Sequence, residues 1–421
     1  MGVLKKVIET LVPRFILKRA LTVYHMVLIS MSALFSGFPA RRMTIIGVTG
    51  TKGKSTVADM MHAVLLEAGY TTALASTIRF AIGKDSKPNL FKMTMAGRGF
   101  LQRFLRSAKN VDATHAVIEV TSEGSRQFRH WFLFPNALIV TNVEREHIES
   151  HGSFEKYVEA KRNIVSSIEH SSKPNRLLVL NGDNETTRSF NTAQAPALLF
   201  EQKELSSLGS DDHSVWFTYK NISFNIPIAG KFNAMNALSV IKVSEHLGIP
   251  LDVVARALHH LPVVKGRVEH INAGQNFSVI VDYAHTPDSL KALYGAFEGK
   301  RKICVLGNTG GGRDMWKRSE MGAIADSMCD TVILTNEDPY DESPQKIVHM
   351  MADGMKREPQ IIMDRREAIR EAIQLAQRGD VVLITGKGTD PFIMGAKGTK
   401  TPWSDASVAK EELSRLRNVV V

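Results

Sequence analysis

Thr44-Ile45-Ile46-Gly47-Val48-Thr49-Gly50-Thr51-Lys52-Gly53-Lys54-Ser55 is the stretch that decides the fold. Its first five residues form a short, largely β-branched apolar run, the composition of a buried strand. A glycine-rich turn follows. From Thr56 to Glu67 the apolar residues Val57, Met60, Met61, Val64 and Leu65 fall at helical spacing, and Gly69 is a stop signal. Strand, turn and helix in that order make an anion cradle. Successive backbone N–H groups from Gly50 to Gly53 and the helix N-terminus face a phosphate. Lys54 is placed to reach β- and γ-phosphates, and Ser55, ahead of Thr56, to offer a hydroxyl to Mg2+. The strict eight-residue pattern wants glycine where Val48 stands, so the strand–loop–helix context carries the reading against a chance Gly/Lys turn.

Working outward, short apolar runs at Thr72–Ser76, Ala116–Val120, Leu138–Thr141 and Leu177–Leu180 read as further strands, with helical patterns between several of them. Alternation of this kind predicts an α/β fold with a mostly parallel, doubly wound sheet. Residues 200–226 read as an antiparallel excursion, Ser214–Tyr219 with Ser223–Ile228. After Pro262 a second series begins: Val279–Asp282, Lys302–Leu306, Thr331–Leu334 and Val381–Thr385, with helices at Ser319–Ser327 and Arg365–Gln377. The expected division is a helical segment over 1–43, a central nucleotide-binding domain over 44–263 and a smaller C-terminal α/β domain over 264–421.

The 421 residues carry a net charge of +10 and are 43% hydrophobic, which excludes a disordered tail or a disulfide-stapled miniprotein. Six of the ten charges lie in residues 1–43, and the other 378 residues carry +4, so a global nucleic-acid surface is a poor reading and no nucleic-acid partner is expected. Two cysteines, Cys304 and Cys329, make no disulfide framework and point to a reducing cytosol. From Ala20 to Ala40 no residue is formally charged, with basic groups on both sides. Three placements stay open for this segment: a helix packed on its own protein, an interfacial helix on a membrane surface, or a membrane span. The first 19 residues hold five basic groups, which opposes a span by the positive-inside tendency.

Further matches run in order along the chain. They include Val117-Ile118-Glu119-Val120-Thr121-Ser122, Thr141-Asn142, Glu146-His147, His151-Gly152, Glu155-Lys156-Tyr157, Ala160-Lys161 and Asn181-Gly182-Asp183. They continue with Gly230-Lys231-Phe232-Asn233 and Asn236, Gly266-Arg267-Val268-Glu269, Asp282 to Asp288, Gly311-Gly312-Arg313-Asp314 and Gly386-Lys387-Gly388. With Gly50–Ser55, these resemble the Mur ligase family over about residues 44–418, most closely its tripeptide-forming branch. The resemblance implies a P-loop central domain and a Rossmann-like C-terminal domain. It implies a cytoplasmic ligase of cell-wall peptide (peptidoglycan) synthesis that uses ATP and Mg2+ to join an amino acid to a carboxylate acceptor of muramyl-peptide type, through an acyl phosphate. A monomer is expected.

The roles it implies are these. Lys54, Glu119, His147 and Lys161 are catalytic, with Ser55, Glu119, His147 and Lys161 at the metal. Lys161 matches a lysine that the family carries as an N-carbamate (N6-carboxylysine), with an ordinary lysine as the open alternative. Gly50, Thr51, Lys52, Gly53, Lys54, Ser55, Thr56, Asn233, Asn236, Arg267, Asp282 and His285 would bind the nucleotide, Asn236 on its adenine side. Thr94, Thr121, Ser122, Arg313, Asp338, Tyr340, Gly386 and Asp390 would meet the other substrates.

Four departures stand out. The family's N-terminal UDP-gripping domain has no counterpart in residues 1–43, which puts a UDP-linked acceptor in question. Glu337-Asp338-Pro339-Tyr340 stands where diaminopimelate-adding members have D-N-P-R, and Tyr340 cannot form the bidentate carboxylate pair of an arginine. Glu146 replaces an aspartate. Lys52 replaces an asparagine, adding a charge expected to tighten nucleotide binding. Two other readings remain: a poly-amino-acid or folylpolyglutamate-type ligase, and a membrane-attached ATP-binding scaffold without ligase activity.

Overall fold

The structure is a computed structural model that describes residues 14–419 apart from 92, 98, 147, 193 and 313. The chain divides into two compact units. One holds residues up to Gly50, Leu65–Val143 and Val158–Leu199; the other holds Thr51–Val64, Glu144–Tyr157 and Phe200–Val421.

The first unit is built on eight strands: β1 (Thr44–Thr49), β2 (Thr72–Ala75), β3 (Arg79–Ile82), β4 (Asp85–Pro88), β5 (His115–Glu119), β6 (Ala137–Val140), β7 (Leu177–Asn181) and β8 (Ala197–Phe200). Their order is β4-β3-β2-β5-β1-β6-β7-β8. The strands read from apolar runs pair in parallel around β1. Strands β3 and β4 are antiparallel additions at one edge. The polar run Asp85-Ser86-Lys87-Pro88 of β4 is exposed throughout, which is why hydrophobic patterning gives no sign of it. Central strands β1 and β5 are buried almost throughout, as parallel strands covered on both faces must be.

Helix α1 (Arg14–Phe35) and helix α2 (Lys54–Glu67) flank β1 in sequence, and α3 (Phe100–Lys109) precedes β5. Helix α2 closes where Gly69 takes φ +85° and its N–H bonds the Leu66 carbonyl. Helix α1 is packed on its own unit: Ser32 donates to the Gly99 carbonyl (3.1 Å) and Arg106 of α3 to that of Phe35 (2.7 Å). A Cβ on Gly99, at φ +70°, would sit 2.0 Å from Ser32 Oγ, so only glycine allows this approach. No helix among the described residues is long and apolar enough to cross a membrane. Ser30, Ser32, Ser36 and Gly37 dilute the hydropathy of Ala20–Ala40.

The second unit contains the antiparallel sheet expected near residues 200–226, now three strands: β9 (Ser206–Ser210), β10 (Val215–Tyr219) and β11 (Ile222–Ile226). It also holds a six-stranded sheet of β12 (Glu269–His270), β13 (Ser278–Asp282), β14 (Lys302–Leu306), β15 (Thr331–Leu334), β16 (Gln360–Ile361) and β17 (Val381–Thr385), ordered β12-β13-β17-β14-β15-β16. All its pairings except β12–β13 are parallel. Val279, Val281, Ile303, Val305, Ile333, Val382 and Ile384 form its core with Ile369 and Ile373 of helix Arg365–Leu375 and Leu413 of the last helix. The two cysteines are joined in a disulfide, Cys304 on β14 to Cys329 before β15. One bond is not a disulfide framework, but it is a cross-link that a reducing compartment does not lead one to expect: parallel pairing of β14 with β15 brings positions 25 residues apart in sequence within 6.2 Å between Cα atoms.

Candidate active site

In the first unit the expected residues collect where β1 and β5 end. Glu119 is 1% exposed. Its two oxygens accept from the backbone N–H (2.8 Å) and the hydroxyl (2.9 Å) of Thr77, and Thr77 Oγ1 lies 2.7 Å from Thr94 Oγ1. Thr77 is missing from the sequence reading; its only signal is a position just past the end of β2. Thr121 caps the short helix Ser122–Arg126, accepting from Gly124 N at 3.1 Å, and Ser122 is buried beside it. Lys161 is buried, and its Nζ donates to the Gly50 carbonyl (2.6 Å) and to Thr49 Oγ1 (3.2 Å). Gly50 takes φ +148°, and a Cβ there would fall 1.9 Å from Thr141 Oγ1. The first glycine of the loop is thus required by both conformation and space.

In the second unit Thr51 Oγ1 contacts Tyr157 Oη (2.9 Å) and accepts from Glu144 N (2.9 Å). Burial, with the nearby Glu146 carboxylate, pushes the Tyr157 phenol far above its ordinary range, so it stays a neutral hydrogen-bonding group. Lys54 folds its Nζ onto the Thr51 carbonyl at 2.8 Å. Ser55 and Thr56 are buried, and Arg267 Nη2 reaches Ser55 Oγ at 3.4 Å while its guanidinium lies over the Tyr283 ring. Asn236 packs against the loop: a Cβ on Gly53 would lie 2.5 Å from its Oδ1. Its Nδ2 donates to Asn233 Oδ1 (2.9 Å), and Asn233 donates to the Ala229 carbonyl (2.8 Å).

The Lys52 ammonium is paired with Glu144 (2.5 Å) and Asp288 (3.3 Å), two carboxylates of the same unit. Asp282 accepts from the N–H groups of Val268 (2.8 Å) and Ala284 (2.7 Å), which fixes the turn after β13. Burial raises its carboxyl above the usual range, against the pull of Arg267. His285 meets Glu146 at 3.0 Å through Nε2 and the Tyr283 carbonyl at 2.7 Å through Nδ1.

A third group lies at the ends of β15 and β17. Asp338 is 3% exposed, and its Oδ1 accepts from Lys387 Nζ (2.8 Å) and Met394 N (2.8 Å). That oxygen is engaged in an internal ion pair. Asp390 lies 3.6 Å from the same ammonium. The neighbour that sequence reasoning left out is Glu337, 3% exposed, whose Oε1 accepts from Thr309 (2.7 Å) and whose Oε2 has no hydrogen-bond partner among the described residues. Its place in the run matching D-N-P-R is the signal that could have found it. Gly386 sits at φ +106°, with a Cβ position 2.1 Å from Glu337 Oε2. Tyr340 takes φ +52° and donates its N–H to the Met394 carbonyl (3.0 Å). His147 and Arg313 lie outside the described residues. A cavity of about 380 Å³ lined by Asp212, His213, His270 and Lys300 holds none of the expected site residues.

The loop residues fit a nucleotide polyphosphate with a divalent cation. The first glycine is cramped by Thr141, a lysine and a serine follow in register, and a 14-residue helix begins at Lys54. Among the described residues no group of three His, Cys, Asp or Glu side chains forms a metal cage.

Comparison with known proteins agrees. A model of the Mur ligase middle domain matches residues 48–244, and one of the Mur ligase glutamate ligase domain matches 266–388. The UDP-N-acetylmuramoyl-L-alanyl-D-glutamate–2,6-diaminopimelate ligase of Aquifex aeolicus is 32% identical over 90% of this chain and 79% of that protein. The UDP-N-acetylmuramyl-tripeptide synthetase 2 of Oceanobacillus iheyensis is 33% identical over 91% and 80%. A solved 2,6-diaminopimelate ligase superposes with a TM-score of 0.60 at 27% identity, covering 89% of this chain and 79% of that one. Folylpolyglutamate synthase of Mycobacterium tuberculosis gives 0.70 at 16% identity over 86% and 93%, a likeness of fold alone. A phosphate loop on a parallel sheet, followed in sequence by a second α/β sheet, thus defines an ATP-dependent acid–amino-acid ligase. The chain belongs to the Mur ligase family.

Proposed function

We propose that this ligase extends a muramyl-peptide acceptor by one amino acid in the cytoplasm, and that the amino acid is not diaminopimelate. The observation that carries the second part is the group around Glu337. A buried carboxylate with one oxygen unpartnered, Asp390 nearby and Tyr340 in place of an arginine favour a cationic side-chain end such as that of lysine over a second carboxylate. A panel of amino acids, read by ADP release and product mass with a UDP-muramyl dipeptide as acceptor, tests it. Diaminopimelate as the best substrate refutes it.

A carboxylate does not condense with an amine at neutral pH because oxide would have to leave. ATP with Mg2+ supplies the activating phosphoryl group, which turns the leaving group into phosphate. The protein positions and neutralises. Lys54 and the N–H groups of Gly50 to Gly53 hold the phosphates, and Ser55 offers the cation a hydroxyl. Arg267 comes to Ser55 from the C-terminal segment. Glu119, held by Thr77, and His147 serve the cation side. Thr94, Thr121 and Ser122 would meet the acceptor. Lys161, as its N6-carboxylate, would orient the metal site; the family resemblance and its burial beside Gly50 support this. In sequence, the boundary between the central and C-terminal domains is read at residue 263. The membrane-surface placement read from residues 1–43 is also proposed, with the full chain expected in the membrane fraction of disrupted cells.

A further inference from the structure

Helix α1 has two faces. Ile29, Ala33 and Ser36 are buried against the first unit. On the opposite side Ile16, Val23, Tyr24, Val27, Met31, Leu34 and Phe35 recur every three or four residues and are 46–70% exposed. Seven large apolar side chains on one stripe exceed what a water-facing helix normally carries. The neighbouring surface is apolar too. Leu90, Phe91 and Met93 are exposed, and the ring of Phe91 packs on Phe100 at the start of α3, one residue from the Gly99 that receives Ser32.

The charge pattern gives this surface a partner. Residues 14–43 contain five basic residues and no acid. Residues 86–111, which contain α3, hold six basic residues and no acid. These two segments, in contact through Ser32–Gly99 and Arg106–Phe35, therefore carry eleven positive charges, more than the net +10 of the whole chain. Arg19, Arg42, Arg103 and Arg106 are exposed.

We propose that the exposed stripe of α1, together with the basic surface of α3, is a docking surface for an anionic lipid bilayer. The helix lies in the interface, apolar side chains among the acyl chains and arginines among the headgroups. This rests on the membrane-surface placement proposed above and adds α3 as a second element and anionic lipid as the determinant. Its physical requirement is joint: the stripe supplies burial, and the basic surface, bounded by Asp85 and by Asp112 (3.9 Å from Lys109), supplies attraction and orientation.

The full chain is sedimented with phosphatidylcholine vesicles, with or without phosphatidylglycerol, at low and high salt. Strong binding to the phosphatidylglycerol vesicles alone, weakened by salt, is expected. Arg42→Gln with Arg103→Gln should weaken it about fivefold per charge removed. Val27→Gln with Met31→Gln should weaken it about tenfold or more. Both pairs lie outside the catalytic groups, so ADP release in solution should be unchanged, which separates this proposal from the ligase reading. Equal binding to neutral vesicles overturns it. So does a concentration-dependent dimer that the Val27/Met31 pair abolishes while no vesicle binds, since the stripe is then covered by a second copy. Membrane fractionation of the full chain without affinity for anionic vesicles overturns the lipid assignment while leaving the membrane placement standing.

Discussion

Glu146 and His285 meet at 3.0 Å, joining a residue of the central sequence segment to one of the C-terminal segment across 139 positions. Glu146 is almost fully buried, and the second nitrogen of His285 faces the Tyr283 carbonyl. The main chain of His285 is also held, by Lys317 Nζ at 3.0 Å. Glu146→Ala and His285→Ala should each lower kcat/KM about tenfold or more. The double variant should lose little beyond either single one, a coupling of about 1–3 kcal/mol. Glu146→Asp, one methylene shorter, should show part of the same loss. Additive effects in a double-mutant cycle would show that the contact does not matter to turnover.

The pairing of Lys52 with Glu144 and Asp288 makes its charge a local matter of the loop. Lys52→Asn should therefore change the KM for ATP by less than about threefold, since the partly exposed group is screened by solvent and salt. A rise of more than about tenfold, measured by ADP release, would mean that Lys52 acts on the phosphates directly.

Gly386→Ala places a methyl where Glu337 Oε2 now lies, in a backbone conformation that alanine resists. The expected cost is about 1–3 kcal/mol of strain, relieved only by moving Glu337. The KM for the amino acid should rise much more than the KM for ATP. Equal changes in both would point to a general loss of structure.

The parallel sheets were legible in the sequence because buried parallel strands are written as apolar runs, and each run lies within a residue or two of the observed strand. The phosphate loop was legible because its glycines answer to backbone geometry and crowding, as Gly50 shows. Side-chain partners were not. Nothing in the sequence pairs Lys52 with residues 92 and 236 positions away, or turns Asp338 inward to Lys387. The edge strand β4 escaped because an exposed polar run leaves no periodic signal. The disulfide escaped because proximity across adjacent strands depends on their order in the sheet.

His115 and His130 are buried, and desolvation lowers each to about 4 from an ordinary value near 6.5. The folded protein therefore resists protonating them where the unfolded chain does not. Stability is unaffected above about pH 6.5 and falls progressively as pH drops from there toward 4, by up to about 3 kcal/mol for each group. Denaturant unfolding at steps between pH 7.5 and 4.5 should show this decline, and His115→Gln with His130→Gln should flatten it. A wild-type profile that is flat over this window would contradict the burial of both rings as neutral groups.

The most direct test of the ligase assignment is ADP release by the wild-type chain and by Lys54→Ala, with amino acid and muramyl-peptide acceptor supplied together and singly. The expected result is turnover that requires both substrates, yields the amide by mass, and is abolished in Lys54→Ala. ATP binding without acceptor-stimulated turnover, or full activity in Lys54→Ala, would contradict it.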